Sequence, residues 1–427
     1  MLKDRELIIW PAGKEKIIEK TVGDFLGILK VDRNGEVRTT RSFELGVYRK
    51  ILSSYVEING IDSSQDVSHL IYRAVFNRLK HYQRQDLAGF RKALAAEARK
   101  FLKRPINTYS ILLPLHMRPT ELQSTRSISI FGVKLLVRNW LFCRRKFELD
   151  EFIRATRLHL KDSHFEYFGK FNPIIVSSQG KYVQEAFLPV ERSFDFLRWL
   201  INLQYQYGRT THRWGGIPKP LGKILPPPTY AIFRSDGSYE TMFYSLRRYE
   251  DYSANSLAPQ ILPQVRRISR ILGGLNQSSE IQTILVEAIA LYGEALDAFD
   301  WRHSFLTLWQ ILEIITLQSE DNLSMKTVRN RVSSLLYQQG LFKDLLDASY
   351  QIRNSLVHRG SFPDESGLEE VNLLKIIVER SINRLFSLVR VCKTKESLER
   401  YYQHIFMPSS ELTDRRRIIR NILDTRK

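Results

Sequence analysis

The sequence predicts an α+β N-terminal and central region followed by an all-α helical bundle. Three observations carry this expectation. Between Asn107 and about Tyr252, short aromatic and β-branched runs alternate with turn residues, the pattern of strands mixed with helices. From Ile281 to Val389, apolar residues recur at helical spacing in successive stripes joined by short polar connections, as in an antiparallel bundle. Between the two patterns, Ala254 to Gln264 carries two prolines and reads as a linker. With 427 residues the chain exceeds the usual size of one domain. The expected division is 1–105, a mixed and partly helical region; 106–255, an α+β domain; and 256–427, an all-α domain with a basic tail.

Taken in order, the first sixty or so residues mix short apolar runs with turn residues such as Asn34-Gly35, and no element is assigned there. From Val67 to Leu102 the pattern is helical, with Ile71, Val75, Leu79 and Tyr82 on one stripe and Leu87, Phe90, Leu94, Ala98 and Phe101 on another. Pro105 ends the run. Thr108–Leu113 and Ser127–Val137 have strand character, and Val190–Tyr207 reads as a helix with Phe194, Leu197, Ile201 and Tyr205 inward. Gly215–Pro228, rich in Gly and Pro, reads as an extended loop. Thr229–Leu246 reads as a hairpin, because Asp236-Gly237 sits between two aromatic-rich runs. Arg213, Trp214, Arg234, Tyr239, Arg247, Arg248 and Tyr249 have the chemistry to stack on and neutralise a nucleic acid, and equally that of core aromatics beside solvated arginines.

Five stripes follow: Ile281, Leu285, Ala288, Tyr292, Ala295 and Phe299; Phe305, Leu308, Trp309, Leu312 and Ile315; Met325, Val328, Val332, Leu335 and Leu336; a stripe through Leu356; and Val371 to Val389. Arg415, Arg416, Arg417 and Arg420 near the end read as a solvated helix end.

Composition narrows the function classes. Sixty-five Lys and Arg against 46 Asp and Glu give a formal charge of +19, which favours a polyanion such as RNA over an acidic small substrate. No segment reads as a membrane span or lipidation signal, so no membrane partner is expected. Cys143 and Cys392 lie far apart, and no ligand cluster predicts a metal or a cofactor. A start without a secretory core points to the cytoplasm.

The candidate site lies in Tyr350 to Gly360. Leu345, Ser349, Ile352 and Leu356 give a helix one apolar stripe; Gly360 supplies the stop, and Pro363 follows it. Near the end of this helix stand Arg353, Asn354 and His358, groups able to hold a phosphodiester and move a proton. Arg353 and His358 lie about 140° apart on an ideal helix, so they converge only if the last turn unwinds or the arginine reaches around. Taken alone, these residues fit better a histidine that caps the helix end beside a solvated arginine. The neighbouring helices shift that balance.

The segment from about Ser278 to Val391 resembles the Apea-like branch of the HEPN superfamily. Ala290 to Leu296 resembles its first long helix, Phe305 to Glu313 its second, with an acidic residue after a leucine, and Arg331 to Leu336 its third; Arg353-Asn354 with His358 completes the Arg-x4-His pattern. The resemblance implies an all-α HEPN bundle and a metal-independent endoribonuclease. It implies that His358 acts on the 2′-hydroxyl or leaving oxygen and that Arg353 stabilises phosphate charge, with Asn354 positioning one of these. Glu313 is then the acid that orients the motif, or else a helix-surface glutamate. It also implies a homodimer through the C-terminal helical domain, with two motifs facing one RNA strand. The region up to about 255 would bind an unknown trigger or select the substrate, in a role such as anti-phage defence. The alternative is a non-catalytic bundle that binds nucleic acid or assembles with a partner.

Overall fold

The structure, a computed structural model, describes residues 3–31, 37–38, 42–61, 64–80, 87–117, 127–159, 171–210, 220–227, 229–244, 261–274, 279–317, 324–336, 339–362, 367–389, 391–405 and 407–425. The chain divides into two compact units, Met1–Ile106 and Asn107–Lys427.

The first unit contains α1 (Asp4–Leu7), β1 (Ile8–Ile9), α2 (Glu15–Gly27), β2 (Lys30–Val31), β3 (Val37–Arg38), α3 (Ser42–Tyr55), β4 (Glu57–Ile58), α4 (Ser64–Lys80) and α5 (Leu87–Leu102). Its core takes Ile18, Val22 and Phe25 from α2, Ile71 and Val75 from α4, and Phe90, Leu94, Ala98 and Phe101 from α5. Leu87 is half-buried, and the side chains of Leu79 and Tyr82 lie outside the described residues, as does Asn34-Gly35. The first sixty positions, where no element was assigned, hold the helices α2 and α3 as well as strands of two residues, too short to give a readable alternation. Two polar contacts fasten the ends: Arg99 pairs with Asp4 at 2.6 Å, and the Arg91 guanidinium stacks 3.7 Å over Trp10.

The second unit opens with β5 (Asn107–Leu115), β6 (Ser127–Ile130), β7 (Val133–Val137), α6 (Trp140–Lys146), α7 (Leu149–His159), β8 (Asn172–Gly180), α8 (Val183–Tyr205), β9 (Thr229–Arg234) and β10 (Tyr239–Tyr244). The strands form one antiparallel sheet in the order β10-β9-β5-β8-β7-β6. Ser127–Val137, expected to have strand character, forms a hairpin that turns at Phe131-Gly132, both with positive φ. β5 and β8 pair along their whole length, from Asn107 opposite Gly180 to Leu115 opposite Asn172. Both sheet faces are covered: Ile111, Leu113 and Leu115 turn toward α8, while Leu112, Ile175 and Phe233 pack with Phe147 and Phe152 of the α6–α7 side. Cys143 is buried there, and burial pushes its thiol up to about 12, which removes it as a nucleophile.

The helices are α9 (Ile261–Gly274), α10 (Glu280–Asp297), α11 (Trp301–Thr316), α12 (Met325–Leu335), α13 (Gln339–Arg359), α14 (Leu368–Leu388), α15 (Lys395–Ile405) and α16 (Ser409–Thr425). An N-terminal and central part with sheet, followed by a helical C-terminal part, is therefore the observed order. Three readings need correction. Ile261–Gln264, expected in the linker, opens α9, with Pro263 in the first turn where its missing N–H breaks no helical bond. Phe299, expected on the first bundle stripe, lies beyond the end of α10 and is 37% exposed. The sheet and the helices, expected as separate domains, share one apolar core, with α8 running between them. Among the described residues no helix is long and apolar enough to cross a membrane.

Buried polar groups hold α8 in place. Arg198, fully buried, donates to Asp195 at 2.8 Å, to Asp297 at the end of α10 at 2.9 Å, and to the Ile224 carbonyl at 3.0 Å. Asn202 accepts from the backbone of Lys223 and Ile224 and donates to the Ile224 carbonyl, so the loop 220–227 can be buried without orphaned amides. Beside this cluster, burial and the Asp195 carboxylate push half-buried Glu191 up to about 7 from an ordinary value of 4.5. A carboxyl whose folded value is raised favours the folded state fully below its unfolded value and loses that contribution as pH rises through about 7. Glu191→Gln is therefore expected to gain about 1–2 kcal/mol relative to wild type between pH 5 and 8, allowing for solvent that reaches the site. Urea denaturation at both pH values measures it; parallel pH profiles for the two proteins would contradict it.

A second buried cluster joins the chain after α8 to α14. Lys375 Nζ lies 2.6 Å from Glu379 and donates to the carbonyls of Gln206 at 3.1 Å and Arg209 at 2.9 Å. Glu379 also accepts from the Gly208 amide at 2.8 Å and from the Tyr292 hydroxyl.

Candidate active site at the end of the motif helix

α13 packs against α11, α12 and α14. Its buried positions are Phe342, Leu346, Ser349 and Leu356, while Leu345 and Ile352 of the expected stripe are half-buried. The expected stripe thus faces the core, and Arg353 lies beside it, four residues after Ser349 and three before Leu356. The Arg353 side chain is 32% exposed and faces α11, with Nη2 3.9 Å from Glu313 Oε1. Its Nη1 lies 3.5 Å from Asn354 Oδ1, the outer limit of a hydrogen bond. Asn354 is half-buried.

His358 is exposed, and among the described residues it makes no hydrogen bond or ion pair. The helix stays regular through Arg359, so the last turn does not unwind, and no hydrogen bond joins His358 to Arg353. Glu313, Arg353 and Asn354 are brought together; His358 stands on another face of the same helix end. Gly360, at φ +71°, closes the helix as its sequence position implies, with its amide bonded to the Leu356 carbonyl at 3.1 Å.

Two residues of this site were not foreseen. Trp309 Nε1 donates to Glu313 Oε1 at 2.8 Å, fixing the carboxylate from one turn away. Arg302, in the first turn of α11, donates to the Gly360 carbonyl at 2.9 Å and so ties down the helix end that carries His358. The i,i+4 spacing of Trp309 and Glu313 was a readable signal; the Arg302 contact spans 58 residues and had none. Of the aromatic and basic set around the β9–β10 hairpin, Tyr239 packs against the α6–α7 core and Arg234 pairs with Glu240, while Arg213, Trp214, Arg247, Arg248 and Tyr249 lie outside the described residues. The tail arginines stand on exposed α16.

Among the described residues no group of three or more His, Cys, Asp or Glu is placed to hold a metal ion. No family model, curated protein or solved structure matches the chain.

Proposed function

We propose that the helical part is a HEPN-type, metal-independent endoribonuclease, with Arg353, Asn354 and His358 as its catalytic groups and Glu313 as the residue that positions Arg353. The observation that carries this reading is the motif end itself. A regular helix closes at Gly360 with an exposed imidazole, and a carboxylate fixed by Trp309 lies toward the arginine one turn earlier. In cleavage, His358 takes the proton from the 2′-hydroxyl, that oxygen attacks the adjacent phosphorus, and Arg353 stabilises the charge on the non-bridging oxygens. The bond to the 5′-oxygen breaks and that oxygen takes a proton from water or from the imidazolium of a second copy, leaving a 2′,3′-cyclic phosphate and a 5′-hydroxyl.

An exposed His358 turned away from Arg353 supports a homodimer in this reading, since a second copy across a two-fold axis sets one chain's histidine against the other's arginine. The same exposure favours the second reading, a bundle that binds RNA or assembles without cutting. Purified protein incubated with total RNA and excess chelator separates them. Cleavage that persists in chelator and leaves cyclic phosphate ends is the expected result. Cleavage that chelator stops and magnesium restores would remove the assignment, and intact RNA would favour the binding protein.

A further inference from the structure

A groove lies at the far end of α14 from the motif. It is an open cleft of about 710 Å³ between the end of α8, α9 and α14, and a second of about 430 Å³ adjoins it, with Tyr207, Asn383 and Ser387 lining both. Arg209 and Arg267 line the first and Arg380 and Arg384 the second, and among the described residues neither lining includes a carboxylate. Arg209, Arg267 and Arg380 are exposed and have no ion-pair partner among the described residues. Other arginines of this unit do pair with acids, Arg329 with Asp347 and Arg331 with Glu399. Unanswered positive charge gathered in a concave place marks a binding site for an anion.

The aromatics say which anion. Tyr207 is 42% exposed, and Tyr205 beside it carries the Arg209 guanidinium 4.7 Å over its ring. Side-chain amides of Gln204, Gln264 and Asn383 add donors and acceptors suited to base edges. These groups are held firmly, because the buried Lys375–Glu379 cluster grips the backbone of Gln206, Gly208 and Arg209. A basic groove with an exposed, anchored aromatic ring is the arrangement that tracks a single-stranded backbone and stacks a base.

We propose that this groove binds single-stranded RNA and is a substrate-holding surface distinct from the cutting site. From Gly367, which packs against Phe362 next to the motif end, to Asn383 is sixteen residues of α14, about 24 Å. One strand can therefore span both places. The inference rests on the ribonuclease reading for the identity of its ligand, and the experiment keeps the two apart.

The probe is fluorescent oligouridine of about 12 nucleotides, measured by anisotropy across a salt series against the full chain, His358→Ala, and the double variant Arg267→Glu with Arg380→Glu. These two arginines are exposed and lie outside the motif, so the double variant should fold, checked by its melting curve. Wild type and His358→Ala are expected to bind alike. The double variant should bind at least about tenfold more weakly, with a log–log salt slope shallower by about 1.4. Tyr207→Ala should weaken binding on the order of tenfold at unchanged salt slope. Undiminished binding by the double variant, no binding by wild type, a matching preference for deoxyoligomers, or full displacement by equimolar mononucleotide would each overturn the groove assignment. Cleavage that depends on His358 while the double variant binds normally would remove the groove alone. Groove-dependent binding without cleavage would remove the nuclease reading alone.

Discussion

His358→Ala is expected to lower RNA cleavage by about 10²–10⁴-fold while leaving stability within about 0.5 kcal/mol of wild type. Both halves follow from the same placement. The imidazole is exposed and bonded to nothing among the described residues, so its removal opens no cavity and orphans no polar group. A side chain that matters for folding could not be deleted so cheaply, and a histidine that only caps its helix could not cost the reaction so much. Arg353→Ala should match it in lost cleavage with a small stability change, because the half-exposed pair with Glu313 at 3.9 Å is weak. Mixing the two inactive chains adds a sharper readout. If each site takes arginine from one protomer and histidine from the other, mixed dimers recover one intact site and part of the activity. Wild-type cleavage by His358→Ala, or a fully active monomer in sedimentation, would sink this arrangement.

Lys375→Ala is expected to destabilise the second unit by about 3–5 kcal/mol. Lys375 and Glu379 have wholly buried side chains, so the lone carboxylate would stay in an apolar setting, and the Gln206 and Arg209 carbonyls would lose their donor. Burial already pushes the Glu379 carboxyl up while Lys375 draws it down. Without the lysine, the proton uptake by Glu379 should shift to higher pH. Lys375→Met combined with Glu379→Leu should recover part of the loss, since removing both charges leaves no unpaired ion. Urea denaturation of the three proteins decides it; a Lys375→Ala midpoint equal to wild type would show the pair to be dispensable.

Legibility in the sequence followed physical cause. The α10, α11 and α14 stripes were readable because each helix buries one face, and Asp236-Gly237 was readable because two-residue hairpin turns select for it. β8, at the centre of the sheet, escaped notice. Covered on both sides, its Ile174-Ile175-Val176 run does not alternate, and Pro173 argues against a central strand unless one sees Pro114 directly opposite. α8 was found but begun seven residues late, because Pro189 looks like a helix start and is instead tolerated inside one. At the site, the residue types were legible and their directions were not. Arg353 flanks the expected stripe and is drawn toward Glu313 of another helix, a contact no local spacing reveals, and the i,i+4 spacing of Lys375 and Glu379 does not tell a buried pair from a solvated one.

Gly293 shows what the shared core means for the helices that carry the motif. A β-carbon there would overlap the Trp199 ring, so α10 carries an imprint of α8 where it has no side chain of its own. A segment beginning near residue 260 would keep the motif and that imprint but lose the ring that fills it. The motif's helices are thus built to fit α8 and the sheet it covers, and Asn107–Lys427 is compact as one unit.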